Sequence, residues 1–427
     1  MAEAEYWRFT VARDCQKKNT SETHSECRLQ AKIEMVVSLF GKGWSPSDLA
    51  DQVSDMSQLA SITRSELTEG KVRGNEHVQI SLADGFALSL LPGRSLDIGA
   101  AHWRGVPLAS LAPPGAANPA FVSEEDGFAR TFQAGLLFTC GLTNIGGPVP
   151  AADAADADGG PVPTHGRISA VPAGNVSTSA QWEGDKYVLR VRAVMRETAA
   201  FGTNLQLTRV ITAVLGENSF RVEDEVENLS RSRESPLMFA YHCNPGFPVL
   251  SPQSRLDLHS ARTVDRLDPT RAVGREVYSS FAPPGSHEET ALVDRVWFHE
   301  PVAADDGTVT LLIHHGTGEG EGDPDRAFGL FFRYPYEEMT QLTTWSHMVR
   351  GEYICGLEPG NANMRGRTWH QDQGLLETLP PGGKRRFSIE IGVVQGAALV
   401  GMLAELGHGA MAGAGPSVKV VGVAAKL

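Results

Sequence analysis

Tyr187-Val188-Leu189-Arg190-Val191-Arg192-Ala193-Val194-Met195 places Tyr187, Leu189, Val191, Ala193 and Met195 on one side of an extended chain, and Arg190 and Arg192 on the other. A period of two is the mark of a strand with one buried face. Leu205–Leu215 repeats it. After the turn Gly216-Glu217-Asn218, Ser219–Asn228 turns Phe220, Val222 and Val226 inward and a row of acids outward. Earlier in the chain, His77–Leu82 and Gly85–Leu91 carry Val78, Ile80, Leu82 and Phe86, Leu88, Leu90 on one face, joined at Ala83-Asp84-Gly85 as a hairpin. Thr308–His314, Ala327–Tyr334 and Arg386–Val394 complete the set. Alternation with a polar face predicts antiparallel pairing, because strands of buried parallel sheets are apolar throughout. The expected fold is all-β, a large antiparallel β-sandwich with few short helices.

Composition agrees. The chain has 427 residues, 41% of them hydrophobic, with 45 glycines and 25 prolines, which suits many short strands joined by turns. Its formal charge of −13, with Lys and Arg scattered, repels phosphate backbones and excludes nucleic acid as the expected partner. Five cysteines, Cys15, Cys27, Cys140, Cys243 and Cys355, form no C-x-x-C pair and read as free thiols of a reducing compartment. The N-terminal segment has no apolar core of a secretory signal, and no stretch approaches the roughly 18 apolar residues of a membrane span. A cytoplasmic protein, monomer or homodimer, is expected.

Residues 1–50 are polar and stand apart as an extension that is either helical or a poorly ordered arm, the helical alternative running from Arg28 to Phe40 on the spacing of Leu29, Ile33, Val36, Val37 and Phe40. Ser45-Pro46-Ser47-Asp48 marks the break before the next segment. The sandwich is expected over 51–396. Residues 397–427 are read as a short helix at 398–406 and a weakly ordered tail. Ala151–Pro163 and Gly316–Asp325, small, acidic and glycine-rich, read as surface loops.

In such a fold the informative residues are polar ones on apolar faces. Arg209 shares the parity of Leu205, Leu207 and Ile211, so it points inward and must be ion-paired or line a cavity. Asp224 has the inward parity of Phe220 and Val222. His165 follows an acidic loop, His242 ends an apolar run at a turn, and Glu358 directly follows Tyr353-Ile354-Cys355-Gly356-Leu357.

Six phrases resemble the galactose-mutarotase (aldose 1-epimerase) superfamily, and more closely its bacterial aldose 1-epimerase-like domain-of-unknown-function branch. They are Leu91-Pro92-Gly93-Arg94-Ser95-Leu96-Asp97-Ile98-Gly99, Thr139-Cys140-Gly141-Leu142-Thr143-Asn144-Ile145-Gly146-Gly147-Pro148, and His165-Gly166-Arg167-Ile168-Ser169. Asn218 to Asn228, Tyr241-His242-Cys243-Asn244-Pro245-Gly246-Phe247-Pro248 and Gly356-Leu357-Glu358-Pro359 follow in the same order. The resemblance covers roughly residues 50 to 396 and implies a sugar-binding cleft. By it, His165 is similar to the sugar-positioning histidine, His242 to the general acid, Glu358 to the general base, and Arg94 to the arginine on ring hydroxyls. Asp97 and Asp224 are candidates for the aspartate that holds sugar hydroxyls. Tyr241 stands where mutarotases carry Asn, and Gly360 where they carry Gln.

The implied reaction interconverts anomers of a free sugar. A base takes the anomeric hydroxyl proton while an acid supplies one to the ring oxygen, with Glu358 ionised and the pKa of His242 held up by it. No metal or organic cofactor is expected, since no H-x-H spacing supports a metal at His165, His242 and Glu358. Trp103, Trp345, Trp369 and Phe247 are candidates to stack on a pyranose, and Arg94, Arg209, Asn144 and His347 to bind hydroxyls. Two other functions fit the same cleft: a catalytically idle carbohydrate-binding protein, and an aldose–ketose isomerase.

Overall fold

The computed structural model describes residues 8–13, 29–34, 36–121, 127–150, 161–285, 294–315 and 328–407. The fold is all-β, with 51% of residues in strands and 13% in helices. An eight-stranded antiparallel sheet runs in the order Gly174–Glu183, Lys186–Thr198, Asn204–Val214, Ser219–Asn228, Lys384–Gln395, Phe328–Pro335, Thr308–His315, Ser254–Leu258. A seven-stranded antiparallel sheet runs Phe138–Leu142, Met238–His242, Glu352–Gly360, Gln341–Val349, Asp294–Pro301, Ser260–Asp265, Asp268–Ala272. A five-stranded sheet, Ala60–Glu66, Glu76–Leu82, Phe86–Leu91, Asp97–Trp103 and Val106–Pro107, completes the layers.

The alternating strands bury the residues their period assigns inward. In Asn204–Val214 every second residue from Leu205 to Ala213 is buried, and Ser219–Asn228 buries Phe220, Val222, Asp224, Val226 and Asn228. The expected hairpin forms between Glu76–Leu82 and Phe86–Leu91, with Asp84 in the left-handed region (φ 56°) that such tight turns demand. One large apolar cluster joins all three sheets, from Val78, Ile80 and Leu88 through Leu189, Leu207 and Val222 to Tyr241, Leu342, Cys355 and Leu357. At about 25 cal/mol per Å² of apolar surface, burial on this scale is the main driving force.

The strands of the seven-stranded sheet nearest the site are buried on both faces. Phe138–Leu142 and Met238–His242 have no exposed residue. Phe239 and Tyr241 face the main core, where Phe239 stacks on Phe387 with centroids 4.3 Å apart. Phe138, Cys140, Met238 and Ala240 face outward into a second cluster with Ile145, Ala362 and the partly buried Phe128, Phe132 and Met364. His242 has the parity of that outer cluster. The double burial explains why no alternation marks these strands in the sequence.

A charged network crosses the core. Arg209 and Asp224 are register partners, and the Arg209 guanidinium donates to both Asp224 oxygens (Nε–Oδ1 2.9 Å, Nη2–Oδ2 2.7 Å). Its Nη1 donates to Asp97 Oδ1 (3.0 Å) and to the Ser95 carbonyl (3.3 Å). Tyr241 Oη donates to Asp224 Oδ2 (2.8 Å), and Thr139 donates to Asp97 from Oγ1 (2.5 Å) and N (3.2 Å). Burial raises the pKa of Asp97, opposed by Arg209, Thr139 and Arg94. The network therefore ties the eight-stranded sheet to the five-stranded sheet through Asp97 and to the seven-stranded sheet through Tyr241 and Thr139.

The N-terminal segment departs from expectation. In place of a helix over 28–40, Leu29–Glu34 pairs antiparallel with Arg8–Arg13, and Val37–Leu39 pairs with Lys42–Trp44 around Phe40 (φ 54°) and Gly41 (φ 73°). β-branched Ile33, Val36 and Val37 favour extended backbone, and Val37 and Leu39 are buried with Ser38 exposed, a period of two that overrides the weaker helical spacing. Ser45 and Asp48 form the capping box of a short helix, Pro46–Ala50. Near the C-terminal end of the described residues the helix Gly396–Glu405 packs Leu399, Met402 and Leu403 against Leu312 and Phe331. The two acidic loops lie largely, and the tail beyond 407 wholly, outside the described residues.

Replacing Arg209 by methionine strands Asp97 and Asp224 without their cation, and is expected to cost about 3–5 kcal/mol in urea unfolding. Arg190→Ala, which breaks the exposed pair with Glu183, is expected to cost under about 1 kcal/mol. Equal costs for the two variants would deny the buried network its structural role.

Candidate active site

His242 and Glu358 come together on the outer face of the seven-stranded sheet. His242 ends its strand, and Glu358 lies near the end of the neighbouring strand Glu352–Gly360. His242 Nε2 stands 3.2 Å from Glu358 Oε1, with the side chains 5% and 3% exposed. Gly356, two residues before Glu358 on the same face, makes room for the contact. A Cβ there would lie 2.6 Å from Glu358 Oε1 and 2.9 Å from His242 Cε1.

Burial moves both groups toward their neutral forms. The Glu358 carboxyl is pushed up to about 8, and the His242 ring is pushed down to about 4, with Asn244 opposing the latter. This corrects the expectation of an ionised Glu358 facing a protonated His242: removing both from water outweighs their mutual attraction. Between about pH 4 and pH 8 the two groups together hold one titrating proton, which belongs to the pair and not to either residue alone. Glu358 Oε2 is buried and has no hydrogen-bond partner among the described residues, and the Asn244 side chain lies against the His242 ring. The Asn244 amide nitrogen donates to the carbonyls of His242 (2.9 Å) and Gly135 (3.0 Å), which holds the end of the strand. Cys140, Cys243 and Cys355 are free, buried thiols whose pKa values are raised by burial and then by Glu358, so they surround the carboxyl as weakly polar groups.

His165 reaches the pair from a turn. Its ring centroid lies 5.7 Å from that of His242 at 83°, and 4.9 Å from Phe128. The Gly146 N–H donates to its Nδ1 (3.3 Å), which places the ring proton on Nε2, and burial lowers its pKa to about 3. His165 is thus a fixed neutral N–H donor. The turn places His165 itself in the left-handed region (φ 59°), and Gly166 packs against the Gly141 and Asn144 carbonyls with no space for a Cβ.

Trp345 and His347 share the site face. Trp345 lies opposite Gly356 in register, its ring 5.9 Å from His242 and stacked at 5.8 Å on His347. His347 Nε2 is 3.3 Å from Glu352 Oε2. Phe132 and Phe138 flank His242 at 5.6 Å and 6.4 Å. The sequence reading missed Phe128, Phe132 and Phe138. A phenylalanine in a doubly buried segment carries no local signal that separates a site wall from ordinary core.

Four expected hydroxyl-binding residues take structural parts instead. Arg94, 2% exposed, donates to the carbonyls of Ser169 (2.6 Å), Ala117 (3.3 Å) and Thr131 (3.2 Å). Asp97 and Arg209 belong to the core network, as does Asp224. Asn144 spends both amide protons on the Gly147 (2.9 Å) and Pro163 (3.0 Å) carbonyls, and its Oδ1 accepts from Arg367 N (3.3 Å). It shapes the turn that carries His165. Strand parity marks a polar residue as inward without telling which of the two faces of a packed layer it meets. Of the aromatic candidates, Trp103 packs in the main core and donates to Asn218 Oδ1 (3.2 Å), Phe247 is 77% exposed, and Trp369 lies beside His370 and Arg365.

The three sheets and the His–Glu pair on the outer face of one of them define an all-β protein with the galactose mutarotase-like fold. Solved structures agree. A protein from Klebsiella pneumoniae, named provisionally as an aldose 1-epimerase, superposes with a TM-score of 0.70 at 21% identity over 81% of this chain and 86% of that one. A galactose mutarotase-like protein from Clostridium acetobutylicum gives 0.52 at 15% identity over 79% and 100%. The galactose 1-epimerase of Lactobacillus acidophilus gives 0.50 at 12% identity over 79% and 99%. At these identities the likeness is one of fold. The chain belongs to the family described as domain of unknown function DUF4432, whose profile matches residues 72–393. No curated protein matches the sequence. Among the described residues no helix is long and apolar enough to cross a membrane.

The folded pKa of Glu358, about 8, lies above its ordinary 4.5, so the native state holds a proton that the unfolded chain releases. Its contribution is therefore fully present below pH 4.5 and lost as pH rises toward 8. Glu358→Gln removes that titration. From pH 6.5 to pH 8 the variant is expected to gain about 2 kcal/mol over wild type in urea unfolding. Parallel curves for the two proteins would mean that the carboxyl is ionised in the native state.

Proposed function

We propose that the protein is a mutarotase that interconverts the anomers of a sugar bearing a free anomeric hydroxyl, by acid–base opening and reclosure of the ring. The observation that carries this reading is the 3.2 Å contact between His242 Nε2 and Glu358 Oε1, on a buried face where the two groups share one proton. Ring opening needs a proton taken from the anomeric hydroxyl and one given to the ring oxygen. A pair that holds a single proton supplies one acceptor and one donor, and reclosure on the other face of the carbonyl returns them to their starting states. The resemblance to mutarotases assigns Glu358 as base and His242 as acid. The neutral resting pair also allows the reverse direction, and over a full cycle both groups give and take a proton.

The surroundings suit a sugar. Trp345 offers an apolar ring beside the pair, and the fixed Nε2–H of His165 offers a donor for a ring hydroxyl. The phenylalanine wall keeps the local dielectric low, which strengthens proton transfer within the pair. None of these steps calls for a metal or organic cofactor.

Exchange spectroscopy of anomeric protons, over a panel of aldoses and ketoses, is the direct test. Wild type is expected to accelerate α/β exchange for at least one sugar. Glu358→Gln and His242→Asn are each expected to lose roughly 10²–10⁴-fold of that acceleration with the fold intact. Binding without exchange would make the protein an idle carbohydrate-binding module, and a new product signal would make it an isomerase.

The pH profile is a second test. Below about 4 the pair gains a second proton and loses its base; above about 8 it loses its only proton and with it the acid. A bell with a broad top between these limits is expected for kcat/KM, its two limbs belonging to the pair and not to either residue alone. A rate that climbs steadily from pH 5 to pH 10 would rule out the shared-proton mechanism.

A further inference from the structure

Arg365 lies on the site face, and no carboxylate among the described residues pairs with it. The preceding residue, Met364, donates its N–H to Thr343 Oγ1 (3.2 Å), which fixes the chain over the seven-stranded sheet. The Arg365 guanidinium is held between two rings, 4.5 Å from the centroid of Phe298 and 4.7 Å from that of Trp369. Its Nε is buried, with no acceptor among the described residues. The charge that acts on it is another cation, Arg262, which adds to burial in lowering its pKa. Arg262 itself sits 3.8 Å from Glu300.

Register places this guanidinium relative to the acid–base pair. Glu358 is opposite Thr343, and Thr343 is opposite Phe298, so all three side chains share one face of adjacent strands. Two strand spacings put Phe298, and the cation above it, roughly 10 Å from Glu358. That is about the reach of a hexose from its anomeric carbon to a charged group on the far end of the molecule. Two aromatic faces fix the plane of the guanidinium, and a planar fork held in place suits bidentate recognition of an oxyanion. A buried guanidinium N–H without an acceptor is costly; Arg295 Nε is left in the same way, but Arg295 has its charge paired with Asp265, whereas no carboxylate among the described residues pairs with Arg365.

We infer that the sugar handled at His242 and Glu358 carries an anionic group, a phosphate, sulfonate or carboxylate, on the carbon remote from its anomeric centre, and that Arg365 receives it as the specificity-determining residue. This rests on the mutarotase reading for the position of the anomeric carbon, and names the substrate class of that site. In a chain of net charge −13, a cation without a carboxylate partner also selects such a ligand against the general repulsion.

The test is calorimetric titration of the full-length protein with glucose 6-phosphate, galactose 6-phosphate, glucuronate and galacturonate, each beside its neutral parent. Wild type is expected to bind at least one charged sugar roughly tenfold or more tightly than its parent. Arg365→Met should remove that preference and leave the parent's affinity as it was. Arg365→Lys should keep part of it, since the charge remains and the planar fork does not. Thermal melts of the variants control for folding. Equal binding of charged and neutral sugars, a preference that survives in Arg365→Met, or no binding of any charged sugar would each overturn the inference. Anomer exchange of neutral sugars without preference would overturn it and leave the mutarotase standing. Binding of a charged sugar that depends on Arg365, with no exchange, would support it and remove the mutarotase.

Discussion

The Arg209 guanidinium sets the frame on which the rest of the molecule is hung. It bonds Asp224 on its own sheet and Asp97 on the five-stranded sheet, and Asp224 in turn accepts from Tyr241 of the seven-stranded sheet. Three sheets meet at one cation, and apolar packing alone would not fix their relative register so narrowly. Apolar contacts tolerate sliding, whereas a buried ion with directional partners does not. The consequence reaches the site within one residue. Tyr241 is locked into the core, so the next residue, His242, faces the outer side of the sheet at a fixed height, beside Glu358.

Strand alternation carries this positioning outward. Cys355 and Leu357 belong to the main core, which leaves Gly356 and Glu358 facing out. Leu342 and Met348 do the same for their strand and leave Thr343, Trp345 and His347 on the site side. The acid–base pair, the ring beside it and the phenylalanine wall all occupy the face that the core residues do not use. Loops then add what strands cannot: the turn braced by Asn144 presents His165, and the chain fixed at Thr343 presents Arg365.

The sequence made the eight-stranded sheet legible because its strands have one wet face, and their apolar period survives in Tyr187–Met195, Leu205–Leu215 and Ser219–Asn228. It also showed Arg209 and Asp224 as inward. It did not show that they face each other, since register across a pair depends on the turn and on burial together. The seven-stranded sheet is buried on both sides at the site, so Met238–His242 reads as a plain apolar run, and neither face is marked. His165, His242, Glu358, Trp345 and His347 were reached through resemblance and local context, and the structure brings them to one face. Arg94, Asp97 and Asn144, reached the same way, and Arg209, reached by strand parity, support the framework behind it. Arg365 and its two rings come from segments distant in sequence, and only the folded chain unites them.

The site is also where the molecule departs from the rules that stabilise it elsewhere. A core of this size pairs its buried charges at Arg209 and bonds Arg94 to three carbonyls, yet it leaves Glu358 Oε2 and Arg365 Nε without a partner among the described residues. It places a glycine at 356, where any side chain would part the histidine from the carboxyl. Buried atoms without a partner among the described residues also occur in the main core, at Trp297 Nε1 and Tyr334 Oη. What sets the site apart is that a carboxyl, an imidazole and a cation held by two rings share one face, an arrangement that a ligand with hydroxyls at one end and charge at the other would complete.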